Sequence, residues 1–272
     1  MDIKLIAIDI DGTLVNSKGK LTPKVKETIK QATAQGIKVV ICTGRPLAGV
    51  TDFLAQLDLA DQDDQYVVCF GGAVVETTSG KLIFQKGISY DDFVDLEAIA
   101  RKLNLHFQAI NTERIYTCNK DIGYYTLYEA NLVSMPVSYR TPEEMREIPL
   151  VKAMYIEDAE ILDPAIAKQE YFEPVKDRLD LMKTAQFYYE AYAKSVNKGN
   201  ALVKLCEILD LTADNVMAIG DEENDISMLK FAGTGVAMGN AIPAVKEVAT
   251  HHTVDNDHDG VAQAIMELAL KK

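Results

Sequence analysis

Basic residues are scarce in this chain. Of 272 residues, 28 are Lys or Arg against 41 Asp or Glu, a formal net charge of -13. Wrapping nucleic acid or docking on anionic lipid needs a basic face that displaces counterions, so neither partner is expected. Long hydrophobic runs are also missing. The apolar stretches are strand-sized, and Asp2 follows Met1 with no long apolar segment behind it, which argues against export and against a membrane span. The four cysteines, Cys42, Cys69, Cys118 and Cys206, stand far apart with no Cys-x-x-Cys pair. They read as buried free thiols in a reducing cytoplasm. The four histidines offer no metal site near the acidic segments described next. No repeat of fixed period, low-complexity tract or Pro/Gly/Ser linker interrupts the chain. A composition 48% hydrophobic and 25% charged permits one large core or two smaller ones.

What the chain does have is acid at the ends of apolar runs. Lys4-Leu-Ile-Ala-Ile-Asp9-Ile-Asp11-Gly12-Thr13-Leu14 sets two carboxylates at the mouth of a short Ile/Leu run, and Gly220-Asp221-Glu-Glu-Asn224-Asp225 closes a second run far downstream. Such runs have the length and richness of strands buried on both faces. Thr22-Pro23 opens a helix with Val25, Ile29 and Ala32 as its buried stripe, Ile37 to Cys42 is a second strand, Val50, Phe53, Leu54 and Leu57 recur at helical spacing, and Tyr66 to Phe70 is a third strand. Strand and helix in alternation predict an α/β fold, a Rossmann-like doubly wound parallel sheet. Sites in such sheets lie at the carboxyl ends of the strands.

After about Gly80 the pattern changes to strand-like pieces with aromatics (Arg114 to Cys118, Val151 to Ile156, Phe187 to Tyr192) among helical ones (Asp91 to Leu103, Asp163 to Tyr171). The first pattern returns from about Lys198, with a helix carrying Leu202, Leu205 and Leu209, a strand Val216 to Ile219, a helix Asp225 to Phe231 and short strands near Val236 and Thr253. A second, α+β domain is therefore inserted into the first. Residues 1–84 and 191–272 are expected to form the core and 85–190 the insertion, with crossings near Lys81 to Lys86 and Ala191 to Asn197.

Asp9 is the candidate nucleophile, because a carboxylate can attack phosphorus in line and form an acyl phosphate, splitting a difficult hydrolysis into two steps. Asp11 could protonate the leaving oxygen and then deprotonate the attacking water. Gathering Asp9, Asp11 and Asp221 without a counterion would cost about 4 kcal/mol per ionised pair at about 4 Å and an effective dielectric near 20. A cation is expected there, and all-oxygen ligands favour Mg²⁺ over Zn²⁺. The Thr43 hydroxyl and the Thr43 and Gly44 amides, where strand turns into helix, could cradle a phosphate. Lys198 could bridge nucleophile and phosphate, Asn224 could donate to a phosphate oxygen, and Asp225 could orient Lys198 or a metal-bound water.

Asp9-Ile-Asp11-Gly12-Thr13-Leu14, Thr43-Gly44-Arg45, Lys198-Gly199 and Gly220-Asp221-Glu-Glu-Asn224-Asp225 resemble, in order and spacing, the four motifs of haloacid dehalogenase-like hydrolases. Further similarity in Thr43 to Val50, Ile115 to Asp121, Val196 to Gly199 and Gly239-Asn-Ala-Ile-Pro-Ala-Val-Lys246 points to the Cof-type branch and its YidA-like sugar phosphatases. The resemblance implies a C2-type cap for the insertion, Mg²⁺ as cofactor, and a small phosphorylated metabolite, such as a sugar phosphate, as substrate. A cytoplasmic location is expected from the cysteines, and a monomer and a homodimer both stay open. It implies metal ligation by Asp9, by the main-chain carbonyl of Asp11 and by Asp221, and phosphate binding by Thr43, Gly44, Lys198 and Asn224. Where many relatives carry Asn-Gly-Ala after the third strand, this chain has Gly71-Gly72-Ala73.

Taken singly, each motif has a plainer reading: Asp-x-Asp-Gly-Thr as a turn, Thr43-Gly-Arg-Pro as a strand exit, Lys198 as a solvated lysine. Four in order favour catalysis. Arg45 could reach substrate or pair with an acid. His251-His252-Thr-Val-Asp255-Asn-Asp257-His258-Asp259-Gly260 fits no ligand spacing and reads as a surface turn. Tyr116, Tyr124, Tyr125 and Tyr128 read as packing of the inserted domain, with a sugar-stacking wall as the other possibility; Tyr124 and Tyr125, read on one strand, cannot both point inward. Two other functions remain open: a phospho-aspartate signalling receiver that does not turn over, and a phosphosugar mutase that returns the phosphate to the sugar.

Overall fold

The Leu-Ile-Ala-Ile run forms β1 (Leu5–Ile8), with all four residues at 0% exposure. A strand covered on both faces belongs inside a parallel sheet flanked by helices. The computed structural model, which describes residues 2–270, has it there. α1 (Pro23–Ala34) follows, with the Thr22 hydroxyl accepting from the Val25 amide at 3.2 Å and Pro23 in its first turn. β2 (Lys38–Cys42), the short α2 (Thr51–Gln56), β3 (Tyr66–Cys69), β4 (Val74–Thr77) and β5 (Leu82–Gln85) come next. Between β3 and β4 the chain reverses through Gly71 at φ +67, a left-handed conformation that glycine and asparagine both tolerate. Glycine in place of asparagine therefore keeps this turn and removes only a side-chain amide.

A second compact unit spans Gln85–Val196. It contains α3 (Tyr90–Leu103), β6 (Phe107–Ile110), β7 (Ile115–Thr117), α4 (Tyr124–Leu132), β8 (Val137–Tyr139), β9 (Lys152–Ile156), α5 (Ala159–Ile166), β10 (Leu179–Ala185) and β11 (Tyr188–Ala193). Its sheet runs in the order β10-β11-β9-β6-β7-β8. Tyr155 is fully buried and stands 5.4 Å from the Phe107 ring, 5.7 Å from Phe172 and 6.2 Å from Tyr189, so one face of this sheet carries an aromatic core. Where the sequence reading returns to the first unit after residue 190, β11 instead completes antiparallel pairing with β9 and β10, and the unit runs on to Val196.

Two local readings are corrected here. Tyr124 and Tyr125 lie on a helix, not on a strand; Tyr124 is 73% exposed and stacks on Tyr128 one turn along. The β-propensity of clustered tyrosines is a weak prior that tertiary context overrides. The helix read as Asp163 to Tyr171 is shifted: α5 begins at Ala159 with Pro164 inside it, and Gln169–Tyr171 is a separate 3-10 turn.

From Asn197 the chain rejoins the first unit with α6 (Lys198–Leu209), β12 (Val216–Gly220), α7 (Ile226–Phe231), β13 (Thr234–Ala237), α8 (Pro243–Val248), β14 (His251–His252) and α9 (Gly260–Leu268). The eight-stranded sheet runs β14-β13-β12-β1-β2-β3-β4-β5. β1 pairs in parallel with β2 on one side and β12 on the other, so strand order departs from β1 in both directions. That is the topological switch point of a doubly wound sheet, where the first loops on either side diverge and leave a crevice at the carboxyl ends. Cys42, Cys69 and Cys206 are buried free thiols and Cys118 is half-buried. No described helix is long and apolar enough to cross a membrane.

Candidate active site

Register brings the first acids together. Ile8 lies opposite Ile219, and the Asp9 amide donates to the Ile219 carbonyl at 3.1 Å, so Asp9 and Asp221 leave adjacent strands almost side by side. Both are buried, at 7% and 5% exposure, and Asp225 and Lys198 are at 0%. Lys198 arrives from the first turn of α6, which Asn197 caps by accepting from the Asn200 amide at 2.8 Å. Its Nζ donates to Asp9 Oδ1 and to Asp225 Oδ1, both at 2.6 Å. Asp225 Oδ2 accepts from the Asp221 and Glu222 amides at 2.9 and 3.1 Å, which fastens the turn after β12. Asp221 Oδ1 accepts from the Thr13 hydroxyl at 2.6 Å.

Carboxylate oxygens of Asp9, Asp221 and Asp225 all lie within 4.8 Å of one another, with one ammonium among them. Burial pushes the Asp9 carboxyl up to about 7; Lys198 pulls it down, and Asp225 and Asp221 add to the rise. Burial likewise lifts Asp221 to about 6, against the Thr13 hydrogen bond and with help from Asp225 and Glu222. Burial works against the charge on Lys198, yet Asp9 and Asp225 outweigh it and hold the ammonium above its ordinary range. One cation does not neutralise three carboxylates. The excess negative charge and the all-oxygen donor set fit a hard divalent ion. Asp225 is a poor ligand despite its place in the cluster, because its Oδ1 holds the Lys198 ammonium and two main-chain amides converge on its Oδ2.

Gly12 lets the loop after β1 approach this cluster. It sits at φ +82, and a Cβ there would lie 2.2 Å from Asp221 Oδ2. Gly12→Ala is expected to lose both stability and turnover, because it adds about 1–2 kcal/mol of left-handed strain and pushes Asp221 aside. Thermal unfolding and phosphate release measured on one preparation check this; wild-type values for both contradict it.

The remaining residues named from sequence are placed unevenly. The Asp11 carboxylate does not join the buried acids. Its side chain is 64% exposed and pairs with Arg45 Nη2 at 2.7 and 3.0 Å. Thr43 is buried and its hydroxyl accepts from the Arg45 amide at 3.1 Å. Its own amide is not available to an anion, contrary to the sequence reading, because it donates to the Val68 carbonyl at 2.8 Å as a last rung between β2 and β3. Gly44 is exposed, with nothing within 4 Å of where a Cβ would stand. Asn224 is exposed on the turn before α7. Of the two readings of Arg45, the structure shows pairing with an acid, Asp11; sequence reasoning left out Thr13 on Asp221 and Asn240, whose Nδ2 donates to the Gly12 carbonyl at 2.8 Å and to Asp221 Oδ2 at 3.3 Å. Thr13 and Arg45 stand inside recognised motifs, and Asn240 inside the Gly239-Asn-Ala segment, so each had a signal.

The family model for haloacid dehalogenase-like hydrolases matches residues 6–265. The chain belongs to that family. A Streptococcus pyogenes relative, named provisionally as a phosphatase, is 42% identical over 99% of this chain and 100% of its own length. The Bacillus subtilis 5-amino-6-(5-phospho-D-ribitylamino)uracil phosphatase YcsE is 32% identical over 99% of this chain and 97% of its own. Among solved structures, a haloacid dehalogenase-like hydrolase from Bacteroides thetaiotaomicron superposes with a TM-score of 0.86 at 30% identity, covering 98% of this chain and 100% of that one. The chain is thus an enzyme, a phosphatase of the haloacid dehalogenase-like family, and the reading as a receiver without turnover is set aside.

Proposed function

We propose that this haloacid dehalogenase-like enzyme is a Mg²⁺-dependent phosphatase of small phosphate monoesters, with sugar phosphates or related polyol phosphates as its substrates. The observation that carries the reading is Asp9, held at 2.6 Å by a fully buried Lys198 and gathered with Asp221 and Asp225 at the switch point of the sheet.

With Oδ1 engaged by Lys198, the second Asp9 oxygen is the one to attack phosphorus in line. As the Asp9 oxygen–phosphorus bond forms, the ester oxygen–phosphorus bond breaks, and the leaving oxygen takes a proton from Asp11. Water then attacks the phosphoaspartate, gives its proton to Asp11, and inorganic phosphate leaves with Asp9 restored. Asp11 must exchange its Arg45 partner for the leaving oxygen, so this ion pair belongs to the resting state. Lys198 offsets charge that gathers on the phosphoryl oxygens, and Thr43, Gly44 and Asn224 hold those oxygens. Asp9, Asp221 and the main-chain carbonyl of Asp11 would hold Mg²⁺, which supplies charge neutralisation in the cluster and a local attraction for an anionic substrate in a chain of net charge -13.

The inserted unit, Gln85–Val196, is read as the part that selects the leaving group. The name of the 32% identical Bacillus subtilis relative specifies a phosphate on a ribityl chain, which supports a polyhydroxylated leaving group here. A panel of sugar and sugar-alcohol phosphates, assayed for inorganic phosphate, tests the reading; an isomeric sugar phosphate without released phosphate would instead identify a mutase. Chelation with EDTA should abolish phosphate release and added Mg²⁺ should restore it. Full turnover in excess chelator contradicts the metal requirement.

A further inference from the structure

The tract from His251 to Gly260 reads from sequence as a surface turn without a role, yet it is fastened to the loop that carries the nucleophile. Asn256 donates through Nδ2 to the Val15 carbonyl at 2.8 Å, Asp257 Oδ1 accepts from the Ser17 amide at 2.9 Å, and Asp259 Oδ1 accepts from the Thr22 hydroxyl at 2.5 Å. On its other side the tract grips the segment after β13. The Gly239 main-chain amide donates to the Val254 carbonyl at 3.1 Å, and the Asn256 main-chain amide donates to Asn240 Oδ1 at 3.1 Å. With its oxygen held in this way, Asn240 can point its amide hydrogens in only one direction, toward the Gly12 carbonyl at 2.8 Å and Asp221 Oδ2 at 3.3 Å.

We infer that Asn240, oriented by Asn256, is a positioning residue that fixes the Asp221 carboxylate for a divalent cation. Asp221 is restrained at both oxygens, Oδ1 by Thr13 and Oδ2 by Asn240, so its plane is set relative to Asp9 before any ion binds. The same Asn240 amide ties down the Gly12 carbonyl, and with it the loop between Asp11 and Thr13. Partners that orient a metal ligand without touching the metal change affinity by about 10–100-fold when removed. The inference rests on the metal reading under Proposed function and adds to it which side chain sets the site's readiness.

Asn240 is exposed, so Asn240→Ala opens no cavity, and Asn256→Pro, at the first position of a 3-10 turn where proline fits, removes the main-chain donor that orients Asn240 without touching Asp221. The test is Mg²⁺ titration by calorimetry on the purified full chain, with the metal-free melting temperature of each variant as a second readout. Asn240→Ala is expected to weaken Mg²⁺ binding by about tenfold or more, and Asn256→Pro to weaken it in the same direction by less, with metal-free melting temperatures close to wild type. Wild-type Mg²⁺ affinity in Asn240→Ala overturns the inference, and so does a fall in metal-free melting temperature with unchanged affinity, which marks a purely structural contact. A wild-type chain that takes up no Mg²⁺ overturns the metal reading itself and this inference with it, an outcome distinct from the others because it appears before any substitution.

Discussion

Asp9→Asn should reduce phosphate release by roughly four orders of magnitude or more, the scale of removing the nucleophile from a covalent mechanism, while leaving the fold in place. The substitution keeps shape and volume and removes one charge from a cluster that holds three carboxylates against one ammonium. Asp9 loses its charge-assisted contact with Lys198 at 2.6 Å, but repulsion with Asp221 and Asp225 falls too, so the two effects on stability oppose each other. Loss of turnover with little change in melting temperature separates chemistry from folding. A single turnover in ¹⁸O-labelled water should place the label in the released phosphate and none in the Asp9 carboxylate, because water attacks phosphorus in the second step and no carbon–oxygen bond of Asp9 breaks; label in Asp9 is the pattern for attack at carbon. Direct attack of water on the substrate would label phosphate in the same way, so the decisive result is the activity of the variant: near-normal turnover by Asp9→Asn rules the covalent route out.

Lys198→Met should strongly destabilise the first unit. The ammonium is fully buried between two carboxylates at 2.6 Å each, and methionine fills similar space without charge. Removing one partner from a buried ionic cluster costs about 3–5 kcal/mol, because the charges left behind have lost both solvent and counterion. For a chain of this size that corresponds to a fall in melting temperature of roughly 6–20 °C. Turnover should be lost as well, since Lys198 also serves the transferring phosphoryl group. Lys198→Met combined with Asp225→Asn should be less destabilised than the sum of the two single changes, because the second removes an uncompensated charge that the first creates. A Lys198→Met protein that melts at the wild-type temperature, or a double variant that is strictly additive, contradicts the electrostatic account.

Much of this site was legible before the structure, and for a local reason. A strand covered on both faces has to be an uninterrupted apolar run, so the point at which polarity begins marks a strand end, and Asp9 and Asp221 stand at such points. Lys198 was legible through its motif and not through its chemistry, since a lysine at the start of a helix is ordinarily solvated. The Tyr124 to Tyr128 stretch misled because aromatic β-propensity reports a preference for half-covered surfaces that a helix can equally satisfy.

Sequence alone therefore determined the element types of the parallel sheet, the acids and the lysine of the cluster, and the family to which they belong. These follow from short stretches whose polarity pattern must match burial within a few residues. Only the tertiary structure decided which partner each group finds: that Lys198 meets Asp9 across 189 positions of chain, that Asp11 turns outward to Arg45, that the Thr43 amide is spent on the sheet, and that Asn240 and Asn256 brace Asp221. A hydrogen bond depends on distance and direction to tenths of an ångström, and between remote segments those are set by the packing of the whole sheet and its helices, which no local pattern encodes.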